Sequence, residues 1–393
     1  MKQNRLIWIV AGILLIEFLS GGVWGIHRGL SSLFAKEVLM ITSFTQIGLV
    51  VSVFGIAKAV TNLGFGALSD RVGRKPVIIL GLISSGVGGA MIASAKDFYG
   101  MLFGTALIGL GGGSTFVGIM VSMIEAVPSR IGLAMGLFEL AAYGGSTFGT
   151  AFAGYLAVAQ GFRLPFQIIM FLSFAGAVTG FFLVPETKGF VKGENTAATR
   201  VSWRYSSALI RLMPLYFAGF SSKIMDGLIW SFLPLLLLGL RMSIEGAATV
   251  LAAFTFSWAI LQPFSGHLSD KLGRKRLTVV GLTIAAVGIL TFTLTSEFVL
   301  MLIFALILGV GAALFYTPII AMVSDIAPPE LEGTLIGSYR FFRDMGYFVG
   351  PILLGSVADR YGLGYAFYVT SLILFIAMII LQILSKETLK PSV

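Results

Sequence analysis

Nine charged side chains lie inside long apolar stretches of this sequence, where hydrocarbon or a protein core would surround them. They are Glu17, Arg28, Lys58, Glu139, Lys223, Asp226, Arg340, Arg343 and Asp344. A charge that faces lipid costs about 3 kcal/mol, so the whole set would cost on the order of 25 kcal/mol, more than the net stability of a domain. These groups are therefore expected to face each other or a shared cavity. There, carboxylates can hold protons and basic groups can bind anions.

Spacing along predicted helices groups these charged residues with aromatic neighbours. Residues three or four apart share one face of a helix, and depth within an apolar stretch follows from a rise of about 1.5 Å per residue. The residues expected to line one cavity are Glu17, Trp24, Arg28, Lys58, Glu139, Tyr143, Asp226, Arg340, Arg343 and Asp344.

Some of these placements leave alternatives open. Arg28 lies near the end of its apolar stretch, so its side chain can instead extend to the interface. Arg340 and Asp344 are four residues apart and can form a structural ion pair. Glu139 and Arg340 occupy equivalent places in the two related halves described below, which suggests an ion pair across the cavity.

Twelve apolar segments are long enough to position these residues inside a membrane. The first six are Leu6–Ser31, Phe44–Leu68, Pro76–Ala95, Phe98–Val127, Gly132–Ala159 and Pro165–Val184. The second six are Leu209–Leu240, Ala247–Leu268, Leu277–Thr295, Phe298–Ile326, Thr334–Ala358 and Gly364–Leu384. The one long polar stretch, 185–207, is a predicted linker between domains 1–184 and 208–393. The predicted fold class is an all-α membrane protein with twelve transmembrane helices in two six-helix bundles.

The composition excludes an ordinary soluble protein. Of the 393 residues, 57% are hydrophobic and 11% are charged, whereas soluble domains have about a quarter charged residues. Cysteine is absent and there are two histidines, so no disulfide, metal centre or cofactor is expected. The apolar run after Lys2 and Arg5 is too long for a signal peptide and lacks a small-residue cleavage site, so it is interpreted as the first span.

The basic residues predict an orientation. With the N-terminus in the cytoplasm, the loops and termini on that side hold 17 lysines and arginines, and the opposite side holds 5. Such a bias over short loops follows the positive-inside rule. Both termini are therefore predicted to be cytoplasmic. The net charge of +9 belongs to these loops, and no basic run with interleaved aromatic residues suggests nucleic acid as a partner.

The two halves of the chain repeat each other. Segment 66–75 reads GALSDRVGRK and recurs at 266–275 as GHLSDKLGRK, an offset of 200 residues. Glycines agree at an offset of 201: Gly136, Gly145, Gly149 and Gly154 match Gly337, Gly346, Gly350 and Gly355. Parallel repeats of six spans are typical of carriers whose site lies at the repeat interface.

The repeated segment resembles the signature loop of the major facilitator superfamily, Gly-x-Leu-[Ala/Ser]-Asp-[Arg/Lys]-x-Gly-[Arg/Lys]-[Arg/Lys], and the resemblance covers the whole chain. In that family the loop Asp meets the N-terminal end of a helix in the other half. The loop Arg pairs with an acidic residue at the cytoplasmic end of span 4. The resemblance therefore implies gating roles for Asp70, Arg74, Glu125, Asp270, Arg274 and Asp325.

Spans 5 and 11 partly resemble a motif that this superfamily associates with antiporters, Gly-x8-Gly-x3-Gly-Pro-x2-Gly-Gly. Thr150 and Ala153 depart from it in span 5, whereas span 11 keeps the proline as Pro351. Close helix packing through small residues is the alternative explanation of the glycines. Drug-exporting relatives also carry an Arg before a Gln-Gly pair in span 4, and Thr105 and Ile108 stand there in this chain.

The resemblance implies a secondary active transporter of the cell membrane, monomeric, with a small organic solute and protons as its partners. Its look is closest to the drug/proton antiporter branch. The preferred mode is proton-coupled export by antiport, motivated by the buried carboxylates and the motif remnants. The alternative is proton-coupled uptake by symport of an organic anion, motivated by Arg28, Lys58, Arg340 and Arg343.

An enzyme is not expected, since no His-Glu-x-x-His, Gly-x-Ser-x-Gly or phosphate-loop motif occurs. A transporter-like sensor would differ by the absence of flux.

Overall fold

Helices account for nearly all of the chain that the structure describes. The structure is a computed structural model, and it describes residues 3–127, 131–187, 203–328 and 331–389. The first half contains α1 (Gln3–Glu37), α2 (Phe44–Val72), α3 (Arg74–Ser94), α4 (Phe98–Ala126), α5 (Ile131–Gln160) and α6 (Arg163–Leu183). The second half contains α7 (Trp203–Ser231), α8 (Leu233–Gly239), α9 (Ile244–Leu272), α10 (Arg274–Thr291), α11 (Phe298–Ile326), α12 (Glu332–Tyr361) and α13 (Leu363–Leu384).

The predicted all-α membrane fold is confirmed. Within the described ranges, eight helices are long and apolar enough to cross a membrane, and α7 with α8 makes a ninth. Helices α5, α10 and α12 are not among these nine; α12 carries Arg340, Arg343 and Asp344. The outward surface of the bundle is apolar, with side chains such as Phe182 and Ile383 more than 70% exposed, as lipid contact requires.

The seventh predicted span, Leu209–Leu240, is not one continuous helix. Its two parts, α7 and α8, meet at Phe232 with a bend of 41°. Pro234 occupies the first turn of α8, and its missing N–H interrupts the backbone hydrogen bonds that would continue α7. Helix α7 also begins at Trp203, inside the predicted linker 185–207. Residues 188–202 of that linker lie outside the described ranges.

The two halves meet along two pairs of helices. Within the first half α1 packs on α5 and α3 packs on α4 and α6, and within the second half α7 packs on α12 and α10 packs on α11 and α13. Between the halves, α2 lies against α12 and α5 lies against α9. The side of the bundle where α1 begins and α13 ends is named the terminal side here, and the other is named the loop side.

Glycines permit the closest of these helix contacts. A Cβ on Gly25 of α1 would collide with the backbone carbonyl of Ser146 in α5, and one on Gly145 of α5 would collide with the carbonyl of Phe18. In the second half Gly346 lies in the same way against the backbone of α7 at Phe220. The backbones approach this closely because no side chain separates them. Most motif glycines of spans 5 and 11 therefore serve helix packing, whereas Gly136 and Gly337 have no neighbour within 4 Å of an added Cβ.

We expect Gly25→Ala to lower the stability of the fold, because the added methyl group meets the backbone of α5 rather than a flexible side chain. Overpacking of this kind costs about 1–3 kcal/mol. Gly136→Ala in α5 is the matched control, since a Cβ there has no neighbour within 4 Å. The midpoint of thermal unfolding of the purified protein measures the effect. Equal melting of the two variants would contradict this account of the α1–α5 contact.

Candidate functional site

Charged and aromatic side chains converge at mid-height between the two halves. They surround a small internal space of about 20 Å³, enough for about one water molecule. We name this group the core site; it is lined by Trp24, Arg28, Lys58, Phe116, Glu139, Ala142, Tyr143, Ser146, Lys223, Tyr316 and Arg343. Both halves contribute, so any movement between the halves changes the shape of this site.

The second half supplies two basic residues that already have acidic partners. Lys223 Nζ lies 2.5 Å from Asp226 Oδ2, and Tyr347 donates its hydroxyl to the same oxygen at 2.9 Å. Arg343 donates to Asp344 Oδ1 through Nε at 2.8 Å and through Nη2 at 2.7 Å. All four charged residues are at least nine-tenths buried. Each basic residue is thus neutralised by an adjacent carboxylate, as burial away from water requires.

The alternative pairing of Asp344 with Arg340 is wrong, because Asp344 forms its ion pair with Arg343, the residue next to it in the chain.

The first half supplies two basic residues with no acidic partner. Within the described part of the chain, neither Arg28 nor Lys58 has a hydrogen bond or ion pair. The Arg28 guanidinium lies 5.3–5.6 Å from the ring centres of Trp24, Phe54, Trp230 and Tyr347. Cation–π attraction stabilises such a cation only in part.

Trp24 also brings the two unpaired cations together. Lys58 Nζ lies 4.3 Å from the ring centre of Trp24, and the Arg28 guanidinium carbon lies 5.6 Å from it. Arg28 is 6% exposed, so the alternative in which it extends to the membrane interface is wrong. Its place nine residues before the end of α1 is covered by the second half.

Two further carboxyl groups lie beside the core site without partners. Glu17 is fully buried, and neither of its carboxyl oxygens has a hydrogen-bond partner among the described residues. Glu139 lines the core site and also a second, larger cavity. An ionised carboxylate that is buried without hydrogen bonds or a counter-ion is costly, and this applies to Glu17. Glu139 is partly exposed and faces the larger cavity, from which a proton can reach it.

The larger cavity lies beside the core site, towards the terminal side. Its volume is about 850 Å³, and Glu139 and Tyr316 line both spaces. Its walls are mostly apolar, and they include Gly266 near the end of α9, Ser324 near the end of α11 and Gly337 near the start of α12. Those residues lie at the terminal-side ends of their helices. The cavity therefore opens on the terminal side, and we name it the terminal cavity.

The predicted ion pair between Glu139 and Arg340 is not formed in this conformation. Both residues line the terminal cavity. Arg340 Nη1 instead lies 3.3 Å from Met120 Sδ, and no ion pair of Arg340 or Glu139 occurs within the described ranges. An open cavity separates the helices that carry the two charges, and this explains the difference.

The loop side of the bundle is closed by contact between α2 and α12. Asp359 of α12 accepts hydrogen bonds at the start of α2 from the backbone N–H groups of Phe44 (2.6 Å) and Thr45 (3.0 Å). It also accepts bonds from the hydroxyl groups of Ser43 (2.9 Å) and Thr45 (2.7 Å). A carboxylate at a helix N-terminus satisfies free N–H groups and the helix dipole. Nearby, Gly355 lies directly on the backbone of Phe44.

The repeated loops on the terminal side form a matching pair of contact networks. Arg74 contacts Glu125 at 3.1 Å, and Arg274 contacts Asp325 at 3.0 Å. Asp270 contacts its own Arg274 at 3.3 Å and none of the described residues of the first half. The side chain of Asp70 lies outside what the structure describes. The gating roles of all six motif residues stay a prediction.

Two glutamates that sequence reasoning missed complete these networks. Glu186 accepts the N–H groups of Arg74 and Lys75 at the start of α3 (2.9 and 3.1 Å), and Glu387 accepts those of Arg274 and Lys275 at the start of α10 (2.9 and 3.1 Å). The turns before these helices use Gly73 and Gly273 at φ of 106° and 101°, a region that favours glycine. Glu186-Thr187 and Glu387-Thr388 repeat at an offset of 201, a signal that was available in the sequence.

Seven of the ten predicted cavity residues line one of the two spaces. The other three, Glu17, Asp226 and Asp344, are buried beside them. Sequence reasoning did not include Phe116, Ser146, Lys223 and Tyr316 in the cavity. Lys223 was detectable because it lies one helical turn before Asp226, whereas the others depend on how the helices face each other.

Comparison with known proteins identifies what this architecture is similar to. Residues 13–211 and 215–392 match the sequence model of the Major Facilitator Superfamily. An uncharacterized MFS-type transporter of Methanocaldococcus jannaschii is 25% identical over 81% of this chain and 83% of its own length. The multi-drug resistance efflux pump PmrA of Streptococcus pneumoniae is 24% identical over 83% of this chain and 82% of its own. The crystal structure of a bacterial homologue of the human lysosomal transporter Spinster, 16% identical, covers 100% of both chains with a TM-score of 0.83. It shares the fold.

We expect Asp226→Ala to destabilise the protein, because it leaves Lys223 buried without its counter-ion and removes the acceptor of the Tyr347 hydroxyl. Breaking a buried pair costs about 3–5 kcal/mol, and replacing both partners by apolar residues costs less. Lys223→Met with Asp226→Leu should therefore melt above the single variant. Asp270→Asn is the control, since its partly exposed pair is worth about 1 kcal/mol or less. Thermal unfolding in detergent measures the order, and a double variant that melts below the single variant would contradict it.

We expect the loop-side closure to weaken when Asp359 loses its charge. Partial burial acts to raise the pKa of Asp359, but hydrogen bonds from Thr45, Phe44 and Ser43 outweigh it and hold that pKa below the ordinary value. A depressed pKa means that the contact stabilises closure fully above the ordinary pKa of Asp and loses this effect as pH falls through the lowered value.

The chain contains no cysteine, so spin labels can be placed at will. Labels at Gln46→Cys and Arg360→Cys measure the distance across the loop side by pulsed electron resonance. Asp359→Asn should lengthen that distance at neutral pH, and acid should lengthen it only in the wild type. An unchanged distance in Asp359→Asn would contradict the closure role.

Proposed function

The chain belongs to the Major Facilitator Superfamily, and from this premise we propose that it is a secondary active transporter that couples a small organic solute to protons. It is a multi-pass integral membrane protein with the fold of transporters of that family. Motifs for nucleotide binding were not found in its sequence, which supports an ion gradient as the source of energy.

The main support for this proposal is a charged site between the two halves of the bundle. The bundle is closed on the loop side of this site and open on the terminal side. Asp359 and Gly355 seal the loop side, and the terminal cavity of about 850 Å³ lies between the core site and the terminal side. The bias of lysines and arginines supports a cytoplasmic terminal side, in a cell membrane. This conformation is then the inward-open state, and rocking of the halves would present the same site to the other side.

Protons are proposed to bind at Glu17 and Glu139. Glu17 is fully buried and its carboxyl oxygens have no partner among the described residues, so its ionised form depends on positive charge nearby. Glu139 lies where the core site meets the terminal cavity and so has access to the aqueous side that is open. The two residues lie on α1 and α5, which pack against each other.

Export by antiport is the first candidate for direction. Relatives such as the multi-drug resistance efflux pump PmrA support it, and so does the mostly apolar wall of the terminal cavity. In this mode solute and proton compete for the same carboxylates, so a cationic or neutral solute would leave as protons enter.

Uptake of an organic anion by symport is the second candidate. Arg28 and Lys58 favour it, because these cations have no acidic partner within the described part of the chain. In this mode solute and proton bind together. The two candidates therefore differ in whether solute binding releases protons or takes them up.

We expect Glu17→Gln and Glu139→Gln to remove the response of the conformation to pH, because glutamine cannot exchange a proton. Spin labels at Leu68→Cys and Thr334→Cys, near the terminal-side ends of α2 and α12, report the opening of the terminal cavity. In the wild-type background their distance distribution should shift between pH 5 and pH 8. The shift should be lost or strongly reduced in each glutamine variant.

Glu297→Gln, at an exposed position before α11, is the matched control and should keep the wild-type response. A full response to pH in the Glu17→Gln, Glu139→Gln double variant would remove these residues from the coupling mechanism. No response in the wild type would count against proton coupling as a whole.

A further inference from the structure

We propose that the solute is an amphipathic organic anion whose acidic group binds between Arg28 and Lys58 and whose apolar part lies in the terminal cavity. This inference rests on the proposed transport function and assigns the chemistry of the solute. It also favours the second candidate, symport, over export by antiport, because the anion and a proton bind together.

The first step is the position of the two cations. Arg28 and Lys58 both lie on the ring of Trp24, at 5.6 and 4.3 Å from its centre, so their charged atoms are no more than about 10 Å apart. A carboxylate placed between them would face both positive charges. Both side chains line the core site, both are more than nine-tenths buried, and both lack a hydrogen bond within the described ranges.

The second step is the balance of charge. Lys223 and Arg343 are neutralised by Asp226 and Asp344. Three cations have no ion pair within the described ranges: Arg28 and Lys58 in the core site and Arg340 in the terminal cavity. Glu17 and Glu139 lie beside them, and even when both carboxyl groups are ionised the three cations leave an excess of positive charge.

The coupling follows from this balance. An arriving anion adds one negative charge to a buried, low-dielectric site, where uncompensated charge is costly. The negative charge of the anion favours the protonated form of Glu17 or Glu139. A bound anion therefore favours a bound proton, and by linkage a bound proton favours the anion. A cationic solute would have the opposite effect and would in addition be repelled by Arg28 and Lys58.

The third step is the shape of the space beside the cations. Tyr316 and Glu139 line both the core site and the terminal cavity, so the two spaces are adjacent, and a ligand that passes between these two side chains would occupy both. The core site holds about 20 Å³ and the cavity about 850 Å³, a volume typical of sites for small organic molecules. Val117, Met120 and Ile320 are among its apolar walls. An inorganic anion or acetate would leave this apolar surface uncovered, whereas an apolar tail would bury it.

Four probes of known chemistry test the inference on the purified full-length protein in lipid nanodiscs. 4-Phenylbutyrate carries the acid and the tail, 4-phenylbutanamide is its neutral form and 4-phenylbutylammonium its cationic form; acetate is the acid without the tail. Calorimetry gives affinity, and a pH electrode in weak buffer gives the proton exchange. 4-Phenylbutyrate should bind at least tenfold more tightly than the other three, and its binding should consume protons.

Variants then test the site itself. Arg28→Met and Lys58→Met should each weaken binding of 4-phenylbutyrate by about 30-fold or more, the usual effect of removing one partner of a buried charge contact. Lys36→Met, on the same helix but outside the core site, is the control and should leave affinity unchanged. If a methionine variant does not fold, Arg28→Lys and Lys58→Arg keep the charge and should retain binding to within about tenfold of the wild type.

Several outcomes overturn the inference. Equal binding of the amide and the acid, or unchanged affinity in both methionine variants, would exclude recognition by these cations. Loss of binding in both charge-keeping variants as well as in Lys36→Met would do so too. Binding of 4-phenylbutylammonium with release of protons would indicate cation/proton exchange instead. Binding of 4-phenylbutyrate without proton uptake would contradict the coupling of anion and proton.

The proposed transport function is judged separately, since the spin-label response to pH needs no ligand. If the labels respond to pH but the protein does not bind 4-phenylbutyrate, proton coupling is supported and the anion proposal is contradicted. If the protein binds 4-phenylbutyrate but its labels do not respond to pH, anion binding is supported and proton coupling is contradicted.

Discussion

The structure depends on one constraint: an ionic group inside a bundle of apolar helices needs a partner there, because neither lipid nor packed side chains can solvate it. The second half of the chain meets the constraint locally, with Lys223 beside Asp226 and Arg343 beside Asp344. The first half meets it with aromatic rings around Arg28 and Lys58. Ring faces attract cations more weakly than carboxylates do, so the first half keeps binding capacity that the second half has used.

Small residues make it possible for helices to hold these groups in place. Gly25 of α1 lies on the backbone of Ser146, and Gly346 of α12 lies on the backbone of α7, so each half is packed through its glycines. At the loop side Gly355 lies on the start of α2 and brings Asp359 to the free N–H groups there. The closure between the halves thus combines close glycine contacts with hydrogen bonds at an exposed end, where water can replace the hydrogen bonds.

The repeat explains the symmetry of the loops and also its limits. Glu186 and Glu387 bind the first turns of α3 and α10 with equal distances, and Arg74 and Arg274 contact acidic residues at equivalent places. The core site has no such symmetry, since Glu139 stands where the other half has Arg340. Each loop holds the start of one helix in its own half, so equivalent contacts serve both halves. A solute binds at one site between the halves, so the two halves can contribute side chains of different charge.

The class of fold was predictable from hydropathy and the repeated loop. A segment that crosses the hydrocarbon core of a membrane as a helix needs about twenty residues, because its backbone groups must hydrogen-bond to one another. These features of the sequence also indicated that the charges inside the spans share a cavity, since lipid exposure is too costly. Partners could not be predicted in the same way. Asp344 pairs with adjacent Arg343 and not with Arg340, Arg28 is enclosed by rings from both halves, and Glu139 and Arg340 face an open space. Helical spacing relates residues along one helix, but which faces meet, and how far apart, is decided only when all the helices pack together.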